Sequence, residues 1–171
     1  MDQVAEHSGV SKQTVYSHFG SKEDLFTAII EYKCIAADIT NDLFDLERPI
    51  REVLRELADH FIELMMSDEA IRMFRLCVAD TGQRARLAAL YWEAGPHQVI
   101  EKIEHYMSEQ KRRGKLHIDD PHFATQHFIA LTRGEGYMKK LLGLPDQRNP
   151  KELPDYIDSC IELFARAYID R

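Results

Sequence analysis

Three observations predict an all-α protein. Apolar residues recur at three- and four-residue spacing from Val4 to Tyr168, and no stretch shows the strict alternation of a strand. Residues that cap helix starts stand ahead of the apolar segments: Ser11, Ser21, Ser67 and the Asp120-Pro121 pair. No repeat or low-complexity tract interrupts the pattern. At 171 residues the chain has room for one good core, or for a small head and a larger body.

The first element is organised by the stretch from Met1 to Phe26, MDQVAEHSGVSKQTVYSHFGSKEDLF. It reads as two short helices, a tight turn between them, and a longer helix at once after. Val4 and Ala5 are apolar on the first helix. Gly9 supplies the positive φ that turns the chain, and Val10 is expected to plug the turn. Ser11 caps the second helix. Val15 and Phe19 put an apolar stripe on its inner face, and Lys12, Gln13, Thr14, Tyr16, Ser17 and His18 remain to face outward. Gly20 ends it, and Ser21-Lys22-Glu23-Asp24 is a capping-box-like start for the third helix. A small Ala5, a turn glycine and a buried Val15 are what a helix-turn-helix needs, because helices that cross steeply must touch at small residues.

The third helix is expected from Lys22 to Phe44, on the stripe Leu25, Phe26, Ile29, Ile30, Ile35, Ala36, Ile39, Leu43 and Phe44. Leu46 to Pro49 breaks it, and Pro49 suits a first helical turn. Val53, Leu54, Leu57, Phe61, Ile62 and Met65 carry the next helix to Met66. Ser67 then caps one bearing Ile71, Phe74, Leu76, Cys77 and Val78, which Gly82 interrupts. Leu87, Leu90, Tyr91 and Trp92 mark another, ending near Gly95. Pro96 opens a helix with Val99, Ile100, Ile103, Tyr106 and Met107, which stops at Gly114. The cations Lys111, Arg112, Arg113 and Lys115 cluster there and suit a helix C-terminus. From Pro121 a long helix runs to Leu142, with Gly134 and Gly136 suggesting a bend or a close crossing. Pro145 to Pro150 is a loop, and a last helix runs from Leu153 to Ile169. The last two helices are apolar on more than one stripe. That leaves a face for a second copy, in a four-helix contact across a twofold axis.

The register of Val4-Ala5, Gly9-Val10-Ser11, Thr14-Val15-Tyr16, His18-Phe19 and Ser21-Lys22 resembles the helix-turn-helix signature of the TetR family of bacterial transcriptional regulators. The stretch from Met73 to Leu144, with Trp92-Glu93-Ala94-Gly95-Pro96 and Asp119-Asp120-Pro121, resembles the AefR-like type of TetR C-terminal domain. The resemblance implies a head over 1–33 that reads DNA and a body over 34–171 that binds an effector and dimerises. It also implies a basic arm and one further helix ahead of Met1, a segment this sequence lacks and without which Val4, Phe19, Phe26 and Ile29 lose a partner.

The net charge of −7 argues against a nucleic-acid binder, and 1–33 holds only Lys12, Lys22 and Lys33 against Asp2, Glu6, Glu23, Asp24 and Glu31. An acidic body on a reading head is compatible with DNA binding when the acids sit away from the groove. No apolar run approaches the ~18 residues of a membrane span and no secretion signal opens the chain, so a cytoplasmic protein is expected. Cys34, Cys77 and Cys160 are widely spaced, as buried thiols in a reducing compartment are.

By resemblance, Ser11, Lys12, Gln13, Thr14, Tyr16, Ser17, His18 and Lys22 are the DNA-contact set. Lys12, Gln13 and Thr14 are implied to lie nearest the bases. Gln13 suits adenine, Lys12 guanine or phosphate, and Tyr16, His18 and Lys22 phosphate. Phe61, Met65, Phe74, Cys77, Trp92 and Phe128 are expected on helices that line the family's effector pocket. The partners implied are a palindromic double-stranded operator, a small and mostly apolar effector, and a second copy through Pro121–Leu142 and Leu153–Ile169. No cofactor is expected. No metal site is expected either: His117, His122 and His127 do not share a helical face, and no H-E-x-x-H or Cys/His cluster occurs. No phosphate loop, dinucleotide fingerprint or nucleophile elbow points to an enzyme. The reading is a ligand-responsive repressor. The alternative is a dimeric ligand-binding or interaction protein that has lost DNA binding.

Overall fold

The computed structural model describes residues 1–79, 85–145 and 152–170. Helices account for most of them, with no strand among the described residues, so the fold class is the one the periodicity predicts. Gly82 and residues 146–150, read above as a break and a loop, lie outside the described residues.

The head is α1 (Asp2–Ser8), α2 (Lys12–Phe19) and α3 (Lys22–Ala36). Gly9, at φ 68, closes α1. Its N–H donates to Glu6 O at 3.3 Å and that of Val10 to Ala5 O at 3.1 Å, the double bond pattern a left-handed residue permits. Ser11 Oγ accepts from the Thr14 N–H at 3.0 Å and caps α2. Ser21 Oγ accepts from the Asp24 N–H at 3.0 Å and donates its own proton to the Asp24 carboxylate at 2.6 Å. Ala5, Val15 and Ile30 are the buried apolar residues of the head. Val10 does not plug the turn; it is 44% exposed. Its backbone closes the turn instead, through the N–H bond to Ala5 O.

α3 ends at Ala36 and not at Phe44. Asp38 takes φ 54, and the chain resumes as a 3₁₀ turn over Asn41–Phe44. Asp tolerates the left-handed region, and the β-branched Ile39 and Thr40 that follow favour extended backbone. Ile39 and Leu43 are still buried, so the apolar spacing survives where the helix does not.

The body is α4 (Ile50–Met66), α5 (Asp68–Val78), α6 (Ala85–Ala94), α7 (Pro96–Arg112), α8 (Pro121–Leu141) and α9 (Glu152–Tyr168). α4 lies at its centre. Val53, Leu54, Leu57 and Ala58 are fully buried and share one core with Ile103, Tyr106 and Met107 of α7, Phe128 of α8, and Ile157 and Phe164 of α9. Each such side chain contributes about 1.5–3 kcal/mol by leaving water. The expected caps are present: Ser67 accepts from the Ala70 N–H at 3.1 Å, and Asp120 from the His122 N–H at 2.8 Å.

The cations at the end of α7 act on neighbouring loops more than on their own helix. Arg113 donates to Leu46 O at 2.7 Å, Lys115 to the same oxygen at 3.4 Å, and Lys111 to Asp119 O at 2.6 Å. Leu46 O also accepts from Gln110 Nε2, so the loop ahead of α4 is held by the end of α7. α8 bends at Gly134, the first of the two glycines that suggested it, with φ 55 and ψ −173.

Head and body meet where α3 lies along α6 and reaches the α6–α7 junction. Gly95 sits at that junction with no room for a side chain: a Cβ there would be 2.8 Å from Ile30 Cγ2 and 3.6 Å from Cys34 Sγ. Arg86 of α6 adds an ion pair to Glu23 in the first turn of α3 at 3.1 Å.

Candidate nucleic-acid interface and effector site

α2 is anchored by little and therefore presents much. Val15 is its one buried residue and Phe19 is half-buried, while Ser11, Lys12, Gln13, Thr14, Tyr16, Ser17 and His18 are all exposed, as is Lys22 at the start of α3. Several of these side chains already have partners. Ser11 and Thr14 share a hydroxyl hydrogen bond of 2.8 Å, which ties both to the cap. His18 lies edge-on to Phe19 at 4.6 Å. Lys12 pairs with Asp2 of α1 at 2.8 Å. That contact raises the Lys12 ammonium above its ordinary pKa and holds the Asp2 carboxyl below its own. Both groups are exposed, so the pair can open to another anion at little cost.

The six residues expected at an effector pocket fall into three groups. Phe61 and Phe128 are core residues, Phe128 edge-on to Phe164 at 5.9 Å, with Met65 half-buried against the same core. Trp92 is 47% exposed and stacks on His97 at 6.2 Å. It borders an open trough of ≈ 640 Å³ between α7 and α8, with Glu101, His105 and His122 on the walls. Phe74 and Cys77 of α5 face α6 and α8 instead, Phe74 edge-on to Tyr137 at 6.3 Å.

That last group has members the sequence reading passed over as core stripe. Tyr91 of α6 has its hydroxyl pushed up to about 12, first by burial, then by Tyr137, Cys77 and Cys34, with Arg133 pulling the other way. Burial raises Tyr137, Cys34 and Cys77 as well, so all four groups keep their protons at neutral pH. Arg133 lies over the Tyr137 ring at 5.1 Å. The available signal was the Arg133-Tyr137 spacing of one helical turn on α8.

The TetR-family model of bacterial regulatory proteins matches residues 1–29. The AefR-like transcriptional repressor C-terminal domain model matches residues 52–170. Among solved structures, the flavonoid-responsive regulator FrrA is 29% identical with a TM-score of 0.79, the match covering 100% of this chain and 87% of FrrA. A TetR-family transcriptional regulator from Mesorhizobium loti is 24% identical with a TM-score of 0.80, covering 98% and 85% of the two chains, which shows the fold. One from Agrobacterium tumefaciens is 20% identical with a TM-score of 0.73, over 96% and 81%. With a reading head that matches one model and a body that matches the other over more than half of its length, the chain belongs to the TetR family of transcriptional regulators, with an AefR-like C-terminal domain.

Proposed function

We propose that this regulator is a repressor that binds a palindromic operator as a homodimer and is released by a small, mostly apolar effector. The observation that carries the proposal is the uncovered outer face of α2, where every polar residue from Lys12 to His18 faces solvent while Val15 holds the helix to the head. In this reading residues 1–33 form the DNA head and 34–171 the effector-binding and dimerisation body. Gln13 pairs with adenine, and Lys12 leaves Asp2 for guanine or a phosphate. Tyr16, Ser17, His18 and Lys22 contact the backbone, and Ser11 and Thr14 set the start of the helix. The acidic body supports this division. Of the head's acids, Glu23 is paired with Arg86 and Asp24 accepts from Ser21.

The effector side is supported by the flavonoid-responsive relative, whose printed name describes that protein's response. Of the predicted pocket residues, Trp92 lies on α6 and Phe74 and Cys77 are on α5, which packs against it, and α6 is the body helix that α3 rides on. A ligand that moves α6 changes the spacing of the two heads, so that both no longer fit their half-sites. The Lys12–Asp2 pair and the net charge of −7 favour a second reading, an effector-binding dimer that does not grip DNA.

A salt titration of binding to promoter DNA from the protein's own locus separates the two. The repressor reading expects affinity to fall steeply with salt. Tyr16→Ala and Lys22→Ala should each weaken binding about tenfold on every sequence, while Gln13→Ala changes base preference. Binding that is absent, or indifferent to all three substitutions, leaves the effector-binding dimer.

A further inference from the structure

We propose that the effector is an aromatic oxyanion, a planar ring bearing a carboxylate or an ionised phenol, taken where α5, α6 and α8 meet, with the Tyr91 and Tyr137 hydroxyls donating to it and Arg133 neutralising it. This rests on the effector reading above and adds the chemistry of the ligand. Tyr137 is 9% exposed, yet its hydroxyl has no hydrogen-bond partner among the described residues. The hydroxyl oxygen is not among the sealed, unsatisfied atoms, so a largely buried ring holds an accessible donor that no protein group among the described residues takes up. The Tyr91 hydroxyl, half-buried on the facing helix, is likewise without a partner among the described residues. Arg133 stacks on Tyr137 with no carboxylate against it among the described residues, in a chain with 29 acids and 22 Lys and Arg.

The groups gathered here are donors: two phenols, two thiols and a guanidinium, with no carboxylate among the charges that act on Tyr91. A site of donors with one cation selects an acceptor that carries negative charge. Phe74, edge-on to Tyr137, supplies the apolar wall that a ring needs, and the soft Cys77 lies on the same helix. The location also explains how such a ligand reaches the DNA head. Tyr91 is four residues before Gly95, whose backbone touches Ile30 of α3 with no space between.

The test uses the full chain and three probes: 2-naphthoate, 4-nitrophenol at a pH where it is ionised, and neutral 2-naphthamide. Trp92, the chain's single tryptophan and the neighbour of Tyr91, reports binding by fluorescence, with calorimetry as the check. The expected result is that one or both anions bind about tenfold tighter than the amide, and the stronger anion identifies the oxygen. Arg133→Gln should abolish that preference. Tyr137→Phe should weaken the anions about fivefold with no loss of thermal stability, because the oxygen it removes has no partner among the described residues. Equal binding of anion and amide, or an anion preference that survives Arg133→Gln, overturns the proposal and leaves a neutral effector standing. Failure of all three probes to bind overturns the effector site together with the proposal.

Discussion

At the scale of single residues, Lys12 is the cation of the outward face of α2, and it is held by Asp2. DNA affinity depends on phosphate neutralisation, so the pair works against the complex: an anion of the protein competes with those of the duplex for the same ammonium. Asp2→Asn should therefore raise affinity for DNA of any sequence by about threefold at low salt, an effect that fades as salt screens exposed charge. Lys12→Gln should lower affinity and make Asp2→Asn nearly silent, and a double-mutant cycle in a binding titration reads that coupling. If Asp2→Asn left affinity unchanged, Lys12 would lie off the groove. The sequence revealed both residues as charges but not as a pair. The α1–α2 turn brings a residue of one helix against a residue of the next, and turn geometry is not legible from spacing alone.

At the scale of elements, the helices and their caps were legible because each rule behind them is local. Ser11, Ser21, Ser67 and Asp120 cap as their positions predict. The end of α3 was not legible, since Ile39 and Leu43 keep a helical apolar spacing while Asp38 turns left-handed. The bend in α8 was half-legible: the glycines marked it, but only the fold shows what fills it. Tyr156 of α9 lies against Gly134, with ring atoms 3.1 Å from where a Cβ would stand, and its hydroxyl donates to Leu131 O at 2.6 Å. The φ 55, ψ −173 backbone is open to glycine alone, so Gly134→Ala should cost about 1–3 kcal/mol in urea unfolding, and Tyr156→Phe about 1 kcal/mol. Should Gly134→Ala prove neutral, α8 runs straight through this point. Gly95→Ala bears on coupling. Its Cβ would meet Ile30 Cγ2 at 2.8 Å and push α3 from the α6–α7 junction. We expect a loss of about 1–3 kcal/mol in stability, as overpacking gives, together with weaker DNA binding. Unchanged binding at reduced stability would mean that the junction holds the body alone.

At the scale of the whole molecule, two copies are needed to read a twofold operator, and the surface of the last two helices is suited to bring them together. The inner faces of α8 and α9 are spent on the core through Phe128, Ile157 and Phe164, yet Phe123 is 61% exposed, Leu163 56% and Tyr156 40%. Large apolar side chains that stay outside a well-filled core, on neighbouring helices, mark a surface that another protein covers. Along α9, Tyr156 and Leu163 are seven residues apart and lie on one stripe, and Phe123 begins the outward stripe of α8. A self-complementary contact of these stripes would make the four-helix arrangement of the proposed homodimer. Leu163→Glu tests it cleanly, because a residue this exposed adds little to the protomer's own fold. Sedimentation should turn from dimer to monomer while the melting transition, measured at fixed protomer concentration, loses only the contribution of association. Binding to a full operator should fall by about a hundredfold, since each head then engages its half-site without the other's effective concentration. Binding to an isolated half-site should be unchanged, which separates lost dimerisation from a damaged head. If Leu163→Glu stayed dimeric, the partner would meet a different face. The spacing of the two heads, on which both operator reading and effector release depend in this mechanism, would then be set by another pair of helices.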